Sequence, residues 1–172
     1  WRLVESSGIS VQMHNSDAGY DRYLSDWEGG EEFQGFQLTK FRGFIYEESR
    51  HIFDTLAAFI AHGVFERFPG LRIGVVENGG SWAQRLMEVF DRVYRKKPRD
   101  FSEHPCEVFR RHVWVNPFHE EDMSHLIDVL GAERVMFGSD YPHPVGLAEP
   151  REFLSELTDL PRDTTERVMG RN

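Results

Sequence analysis

Three polar side chains, His14, Glu77 and Asp140, each stand directly after an apolar run that has the composition of a buried strand. The carboxyl ends of parallel strands meet at one edge of a sheet, so we expect these side chains to surround one pocket. Imidazole and carboxylate groups together suit Zn²⁺, Mn²⁺ or Fe²⁺. A carboxylate held by a strand also suits proton transfer. The pattern therefore predicts a site for metal-assisted or acid–base chemistry.

Each of these residues also has a structural interpretation, which the residues alone leave open. Asp140 lies in the sequence Gly138-Ser139-Asp140-Tyr141-Pro142, where an acid can form a turn or cap a helix. A histidine at a strand end is often a hydrogen-bonded structural residue. Asn116 ends a fourth apolar run and joins the candidate pocket. His143 lies at its rim, as a substrate contact or as a loop histidine between two prolines.

The remaining histidines have weaker site contexts. His119 follows the Asn116-Pro117 strand end and is a secondary pocket candidate. His51, beside Arg50, is interpreted as a helix-start feature, with contact to a substrate carboxylate as the alternative. The others are predicted to be surface or interface residues: His62, His104, His112 and His125.

Apolar spacing predicts alternating strands and helices. The predicted strands are residues 9–13, 71–76, 113–115 and 135–138. The predicted helices are residues 51–68, 81–96 with Ser81 as N-cap, 120–130 closed by Gly131, 149–157 and 162–169. Residues 18–44 are rich in glycine and aromatic residues and predict a long loop, either a lid or dimer contact or a packed insertion. The alternation indicates an α/β fold with a parallel sheet, either half of a (β/α)8 barrel or a small open sheet.

Composition limits the function classes. The 172 residues are 40% hydrophobic with a formal net charge of -9, which indicates one globular domain and argues against nucleic acid as a partner. A single cysteine, Cys106, fits a reducing, cytoplasmic compartment. No apolar run is long enough for a membrane span. We expect a small-molecule substrate and a homo-oligomer. The chain opens at Trp1 and closes in a helical pattern at Asn172, so residues 1–172 are interpreted as one domain truncated at both ends.

The segment Phe137–His143, together with Val11–His14 upstream, resembles the amidohydrolase-related family, the branch of the amidohydrolase superfamily that contains aminocarboxymuconate semialdehyde decarboxylase and γ-resorcylate decarboxylase. The segment Gly63–Ile73 is similar to the helix-to-strand transition of this family. The resemblance extends from about His14 to Asn172. It implies the C-terminal half, about strands 5 to 8, of a metal-dependent (β/α)8 TIM barrel, with one divalent metal ion that we expect to be Zn²⁺, with Mn²⁺ or Fe²⁺ as alternatives.

The resemblance also implies residue roles. His14 falls at the metal-ligand histidine of the fifth strand, and Asp140 at the metal-ligand and proton-transfer aspartate of the eighth. Many members carry a histidine before Gly-Gly on the sixth strand, whereas this chain has Glu77-Asn78-Gly79-Gly80. Glu77 is therefore expected to act as a ligand or base, or to hydrogen-bond the pocket. The first-strand His-X-His pair of the family is absent and is expected to precede Trp1.

Function follows from the resemblance in three versions. The first is a hydrolase, in which a metal-activated water attacks the substrate and Asp140 takes the proton. The alternative is a non-oxidative decarboxylase, or carboxy-lyase, of a small carboxylic acid, aromatic acids included. The second alternative is an inactive barrel remnant that serves as a scaffold, for which Glu77 in place of histidine is the argument. The 172-residue piece alone is expected to be inactive.

Overall fold

The sheet consists of short parallel strands that lie side by side in chain order. The structure, a computed structural model, describes residues 1–15, 20–29, 39–47 and 49–172, with the backbone alone at residues 21, 46 and 47. Its strands are β1 (Val11–His14), β2 (Ile73–Val76) and β3 (Val113–Val115). β2 pairs with β1 on one side and β3 on the other, both in parallel. The predicted parallel α/β arrangement is confirmed.

The fourth predicted strand, residues 135–138, is reduced to one bridge. Val135 pairs in parallel with Val115, and the Met136 amide donates to the Val115 carbonyl at 2.8 Å. The next amide, of Phe137, instead donates to the Val168 carbonyl at 2.9 Å. The chain therefore leaves the sheet just before the glycine that precedes Ser139.

Helices follow each strand. The α-helices of the described residues are α1 (Arg2–Ser6), α2 (Asp21–Glu28), α3 (Lys40–Glu47), α4 (Arg50–Ala61), α5 (Val64–Arg67), α6 (Trp82–Lys96), α7 (Pro105–His112), α8 (Met123–Leu130) and α9 (Arg162–Glu166). Short 3₁₀ helices span Pro98–Asp100, Ala132–Arg134 and Pro150–Leu157, and a π-helical turn spans Arg167–Arg171. Within the described residues, no helix combines the length and the apolar character needed to cross a bilayer.

The prediction of a loop over residues 18–44 is wrong where the structure describes it. α2 and α3 occupy much of this segment, and Phe41 lies with its ring centroid 6.2 Å from those of both Tyr23 and Trp27. Large apolar residues have helical spacing at Tyr20, Leu24 and Trp27, a signal that the neighbouring glycines obscured. Residues 16–19 and 30–38 lie outside the described residues.

The predicted helix over residues 51–68 is two helices. Gly63 has φ +60°, a left-handed conformation that an α-helix cannot continue through, and it separates α4 from α5. α7 was not predicted, although Pro105 at its first turn and Arg110 and Arg111 in its last turn are typical helix signals. α8 begins three residues later than predicted, because Asp122 caps it by accepting from the His125 amide at 2.9 Å.

Helices cover one face of the sheet and leave the other face more open. Alternate strand residues, Ile73, Val75, Val113 and Val115, are fully buried against the helices. They pack in one core with buried helix residues such as Leu56, Leu86, Phe109, Leu130 and Phe153. On the opposite face, Gln12 and His14 are exposed and Val76 and Trp114 are half-buried. Parallel sheets are usually covered on both faces, so the open face is the unusual feature of this fold.

Candidate active site

Glu77 and Asp140 both adopt left-handed backbone conformations just beyond the apolar runs. Their φ angles are +49° and +55°, which non-glycine residues rarely adopt. Such strain occurs most often where the surrounding structure fixes a functional side chain. Both residues line one cavity of about 470 Å³ at the carboxyl edge of the sheet.

His14 and Glu77 form an ion pair across β1 and β2, with 2.9 Å between His14 Nε2 and Glu77 Oε1. The other ring nitrogen, Nδ1, donates to the backbone carbonyl of Asn15. This hydrogen bond raises the pKa of His14 above its usual value, and the nearby carboxylates of Glu77 and Asp140 act in the same direction against partial burial. The protonated ring of His14 is therefore more stable than that of a free histidine, and Glu77 accepts from its Nε2.

Asp140 is paired with His143, whose Nδ1 lies 3.3 Å from Asp140 Oδ2. A tight loop holds this pair: the His143 amide donates to the Asp140 carbonyl at 2.7 Å, and the Leu147 amide to the Ser139 carbonyl at 2.8 Å. Gly146 makes the loop possible, since a Cβ there would lie 2.6 Å from the carbonyl oxygens of Ser139 and Asp140. The imidazole of His143 is more than half exposed, so it connects the less exposed carboxylate of Asp140 to solvent.

Asn116 lies across the last strand segment. Its Nδ2 donates to the Pro117 carbonyl at 3.2 Å and to the Met136 carbonyl at 3.4 Å. A Cβ at Gly138 would approach the Asn116 amide to 2.6 Å, so glycine is required there for this placement. Asn116 lines the same cavity as Glu77 and Asp140.

The cavity has both apolar and polar lining residues. Its apolar walls are Pro117, Phe118 and Val145, and its polar lining includes Asn116, His119 and the carboxylates of Glu77 and Asp140. His119 Nε2 lies 3.2 Å from Glu120 Oε1. His14 and His143 do not line the cavity themselves. Each contacts a residue that does: His14 contacts Glu77, and His143 contacts Asp140.

Sequence reasoning missed the residues that hold the site together. Glu121 accepts hydrogen bonds from the amides of Gly80, Ser81 and Phe118 at 2.8 to 3.0 Å. It thereby joins the start of α6 to the cavity wall. Ser81, predicted as the N-cap of this helix, makes no side-chain cap hydrogen bond. The Glu-to-amide connection spans 40 residues or more, so local spacing contains no signal for it.

The prediction that His112 is a surface or interface residue is wrong. His112 is 3% exposed, stacks on Phe65 with 4.5 Å between ring centroids, and bonds the Leu71 carbonyl at 2.8 Å. Asn78 and His51 are also buried and hydrogen-bond each other at 2.7 Å. Lone polar residues in helices and turns give no sequence signal for this burial.

The donor types of this edge fit a divalent transition metal, although the described residues do not complete a ligand set. His14 supplies imidazole and Asp140 supplies carboxylate, with Glu77 at the ring nitrogen of His14. The Asn15 carbonyl fixes Nδ1 of His14, which is the arrangement usual for metal-binding histidines. Within the described residues, no group of three or more His, Cys, Asp or Glu side chains is placed to hold a metal ion.

Comparison with known proteins decides the family. A sequence profile of the amidohydrolase family matches residues 1–172. The chain belongs to this family. The resemblance predicted from Phe137–His143 is thereby confirmed, and the related proteins are enzymes that include decarboxylases.

Individual relatives refine this assignment. The chain is 34% identical to an amidohydrolase from Mycobacterium avium subsp. paratuberculosis, with a TM-score of 0.85 over 98% of this chain and 42% of that one. It is 26% identical over 129 residues to 2-amino-3-carboxymuconate-6-semialdehyde decarboxylase from Dictyostelium discoideum, a match of 68% of this chain and 34% of that protein. This chain thus spans less than half the length of either relative.

A third relative shares the fold at lower identity. Dihydroxybenzoic acid decarboxylase from Polaromonas is 15% identical, with a TM-score of 0.61 over 98% of this chain and 49% of that one. Its structure contains manganese and the inhibitor 2-nitroresorcinol. At this identity the likeness supports the shared fold alone.

Proposed function

We propose that this chain contributes the carboxyl-terminal half of a (β/α)8 barrel in a metal-dependent, non-oxidative decarboxylase of small carboxylic acids. The observation that carries the proposal is the meeting of the His14–Glu77 and Asp140–His143 pairs at one cavity edge, in a chain with a decarboxylase among its relatives. The order β1-β2-β3 followed by Val135, and the open sheet face, support the half-barrel part of the proposal.

His14 and Asp140 would hold the metal ion, with further ligands from outside the described residues. When bound, a divalent metal would offset the negative charge of the substrate carboxylate and of a neighbouring oxygen. Glu77 fixes the ring of His14 through Nε2 when no metal is bound. The positive charge of the metal ion would be needed, because without it the carboxylates of Glu77 and Asp140 would repel an anionic substrate.

Asp140 is assigned the proton step. In its protonated form it delivers a proton to the carbon that bears the carboxylate. The carbon–carbon bond then breaks, its electron pair stays with the protonated fragment, and CO₂ leaves. His143, 3.3 Å from Asp140 and open to solvent, returns the proton to Asp140. Pro117, Phe118 and Val145 would pack against the organic part of the substrate and exclude water.

The decisive experiment uses the complete protein loaded separately with Mn²⁺ and Zn²⁺. We expect CO₂ release from at least one acid of a panel that includes dihydroxybenzoates and 2-amino-3-carboxymuconate-6-semialdehyde. Asp140→Asn should abolish that release, since an amide cannot deliver the proton, and His14→Ala should chiefly lower the bound metal. Hydrolysis of esters, lactones or amides without CO₂ release would favour the hydrolase instead. Absence of both metal and turnover would favour the scaffold.

A further inference from the structure

Asn78 lies where β1, β2 and the start of α4 meet, and its side chain is buried at 3% exposure. Its Nδ2 donates to the Val76 carbonyl at 2.7 Å and to the Met13 carbonyl at 3.2 Å. These carbonyls belong to the peptide groups that immediately precede Glu77 and His14. One amide nitrogen thus holds the last peptide before each member of the ion pair.

The orientation of the Asn78 amide follows from its partners. Carbonyl oxygens only accept hydrogen bonds, so the nitrogen of the amide must face Met13 and Val76. Oδ1 therefore faces His51, whose Nε2 donates to it over 2.7 Å. Burial lowers the pKa of His51, which favours a neutral ring. The acceptor Oδ1 of Asn78 places the proton of that ring on Nε2. The Ser49 hydroxyl also donates to the Asn78 carbonyl at 3.0 Å. Two residues at the start of α4, Ser49 and His51, therefore hydrogen-bond Asn78.

The strand ladder does not continue beyond Val76, although Met13 still lies within it, opposite Val75. The β1–β2 register ends at the pair His14 and Val76, and the chain then turns at Glu77 with φ +49°. Beyond that turn, backbone groups no longer face each other in ladder geometry. The Asn78 side chain replaces the next rung, and it does so without adding a charge beside Glu77 and Asp140.

We propose that Asn78 is a positioning residue, oriented by His51, that fixes the separation of His14 and Glu77 and thereby the affinity of the site for its metal. The effect on metal affinity rests on the proposed function, whereas the effect on the distance between His14 and Glu77 does not. Residues that orient metal ligands typically contribute about 10- to 100-fold to metal affinity or activity.

The test compares Asn78→Ala with His112→Ala in the complete protein. Asn78 and His112 are both 3% exposed. Asn78 donates to the Val76 carbonyl at the carboxyl end of β2, whereas His112 bonds the Leu71 carbonyl just before the other end of that strand. We expect both variants to lower the melting temperature. Asn78→Ala alone should weaken Mn²⁺ affinity by about 10- to 100-fold, and lower kcat more than it raises KM. His51→Phe, which leaves Asn78 in place, should act in the same direction by a smaller factor and keeps the test available if Asn78→Ala does not fold.

Crystal structures of the Asn78→Ala and His51→Phe variants distinguish the positioning role of Asn78 from the proposed function. An increased distance between His14 Nε2 and Glu77 Oε1 in Asn78→Ala or His51→Phe supports the positioning role even if the wild-type protein binds no metal, which would refute the proposed function alone. An unchanged distance, or Mn²⁺ affinity and kcat that match those of His112→Ala, overturns the positioning role.

Discussion

Glu77 holds its carboxylate against His14 from a backbone conformation that costs on the order of 1 kcal/mol or more for a residue with a Cβ. A glycine would adopt this φ more readily, so the side chain must contribute something that the backbone does not require. Asp140 shows the same combination two strand segments away, beyond β3. Two strained acidic residues at one cavity are more simply explained by chemistry than by packing.

Replacing Glu77 by glutamine tests that explanation. Glu77→Gln keeps the shape but removes a carboxylate that can act as a base at the cavity, and we expect kcat to fall by about 10²-fold in the complete protein. Metal content should be measured on the same samples. Glu88→Gln, on the exposed side of α6, is the control and should retain normal turnover. Normal kcat at normal metal loading would remove Glu77 from the catalytic residues.

At the scale of elements, the start of α6 depends on a residue from another segment. Glu121 places a carboxylate on the amides of Gly80 and Ser81, where the partial positive charge of the helix favours an anion. The same carboxylate accepts from Phe118 in the cavity wall. A helix end and a wall of the candidate site therefore share one acceptor.

Removing that acceptor should destabilise the fold. Glu121→Ala is expected to lower the free energy of unfolding by about 1 to 2 kcal/mol, the upper part of the range for capping groups. Ser81→Ala is the matched control, and its effect should stay within about 0.5 kcal/mol, because the Ser81 hydroxyl makes no cap hydrogen bond. Urea denaturation monitored by circular dichroism measures both. Equal losses would show that the carboxylate does not cap the helix.

What could be predicted from the sequence depended on how local the determinant is. The parallel strands, the alternation with helices and the Gly131 helix end follow from apolar spacing and from single residues, and the structure has them. The edge that carries His14 and Glu77 follows because a parallel sheet has one carboxyl edge. The Glu121 bond to Ser81 and the Asn78 bond to Met13 join residues 40 and 65 positions apart, so no local pattern contains them. The aromatic residues of α2 and α3 did carry helical spacing, but nearby glycines outweighed it.

At the scale of the whole molecule, the fold is covered on one face and open on the other. The helix-facing residues of β2 and β3 are fully buried, whereas His14 on the other face is more than half exposed at its side chain. Arg134 lies over the ring of Trp114 at 4.5 Å and gives the open face partial cover. The stability of the chain consequently depends on the helical side, which contains the buried histidines.

Those histidines predict how stability changes with pH. Burial lowers the pKa of His112 below its usual 6.5, with the charges of Arg111 and Arg134 acting in the same direction. Between pH 6.5 and the lower pKa of the folded state, His112 binds a proton in the unfolded chain but not in the folded chain. The free energy of unfolding therefore decreases as the pH falls through this range. His51 has the same sign.

The two buried histidines are expected to contribute a term to the free energy of unfolding that is constant at weakly alkaline pH and declines in weakly acidic solution, whereas His14, with its raised pKa, acts in the opposite direction. His112→Asn should reduce this decline. Urea titrations from about pH 8 down to about pH 5 measure the slope. A slope unaffected by His112→Asn would mean that other groups account for the acid sensitivity.

The carboxylate of Glu121 has a kinetic consequence. The amide hydrogens of Gly80, Ser81 and Phe118 are shielded from solvent by the same two oxygen atoms. When that side chain swings away, all three become available for deuterium uptake at once, although Phe118 is distant from the other two in the chain. The three amides should open in one event with one free energy, so that the cavity wall opens locally only when the first turn of α6 opens.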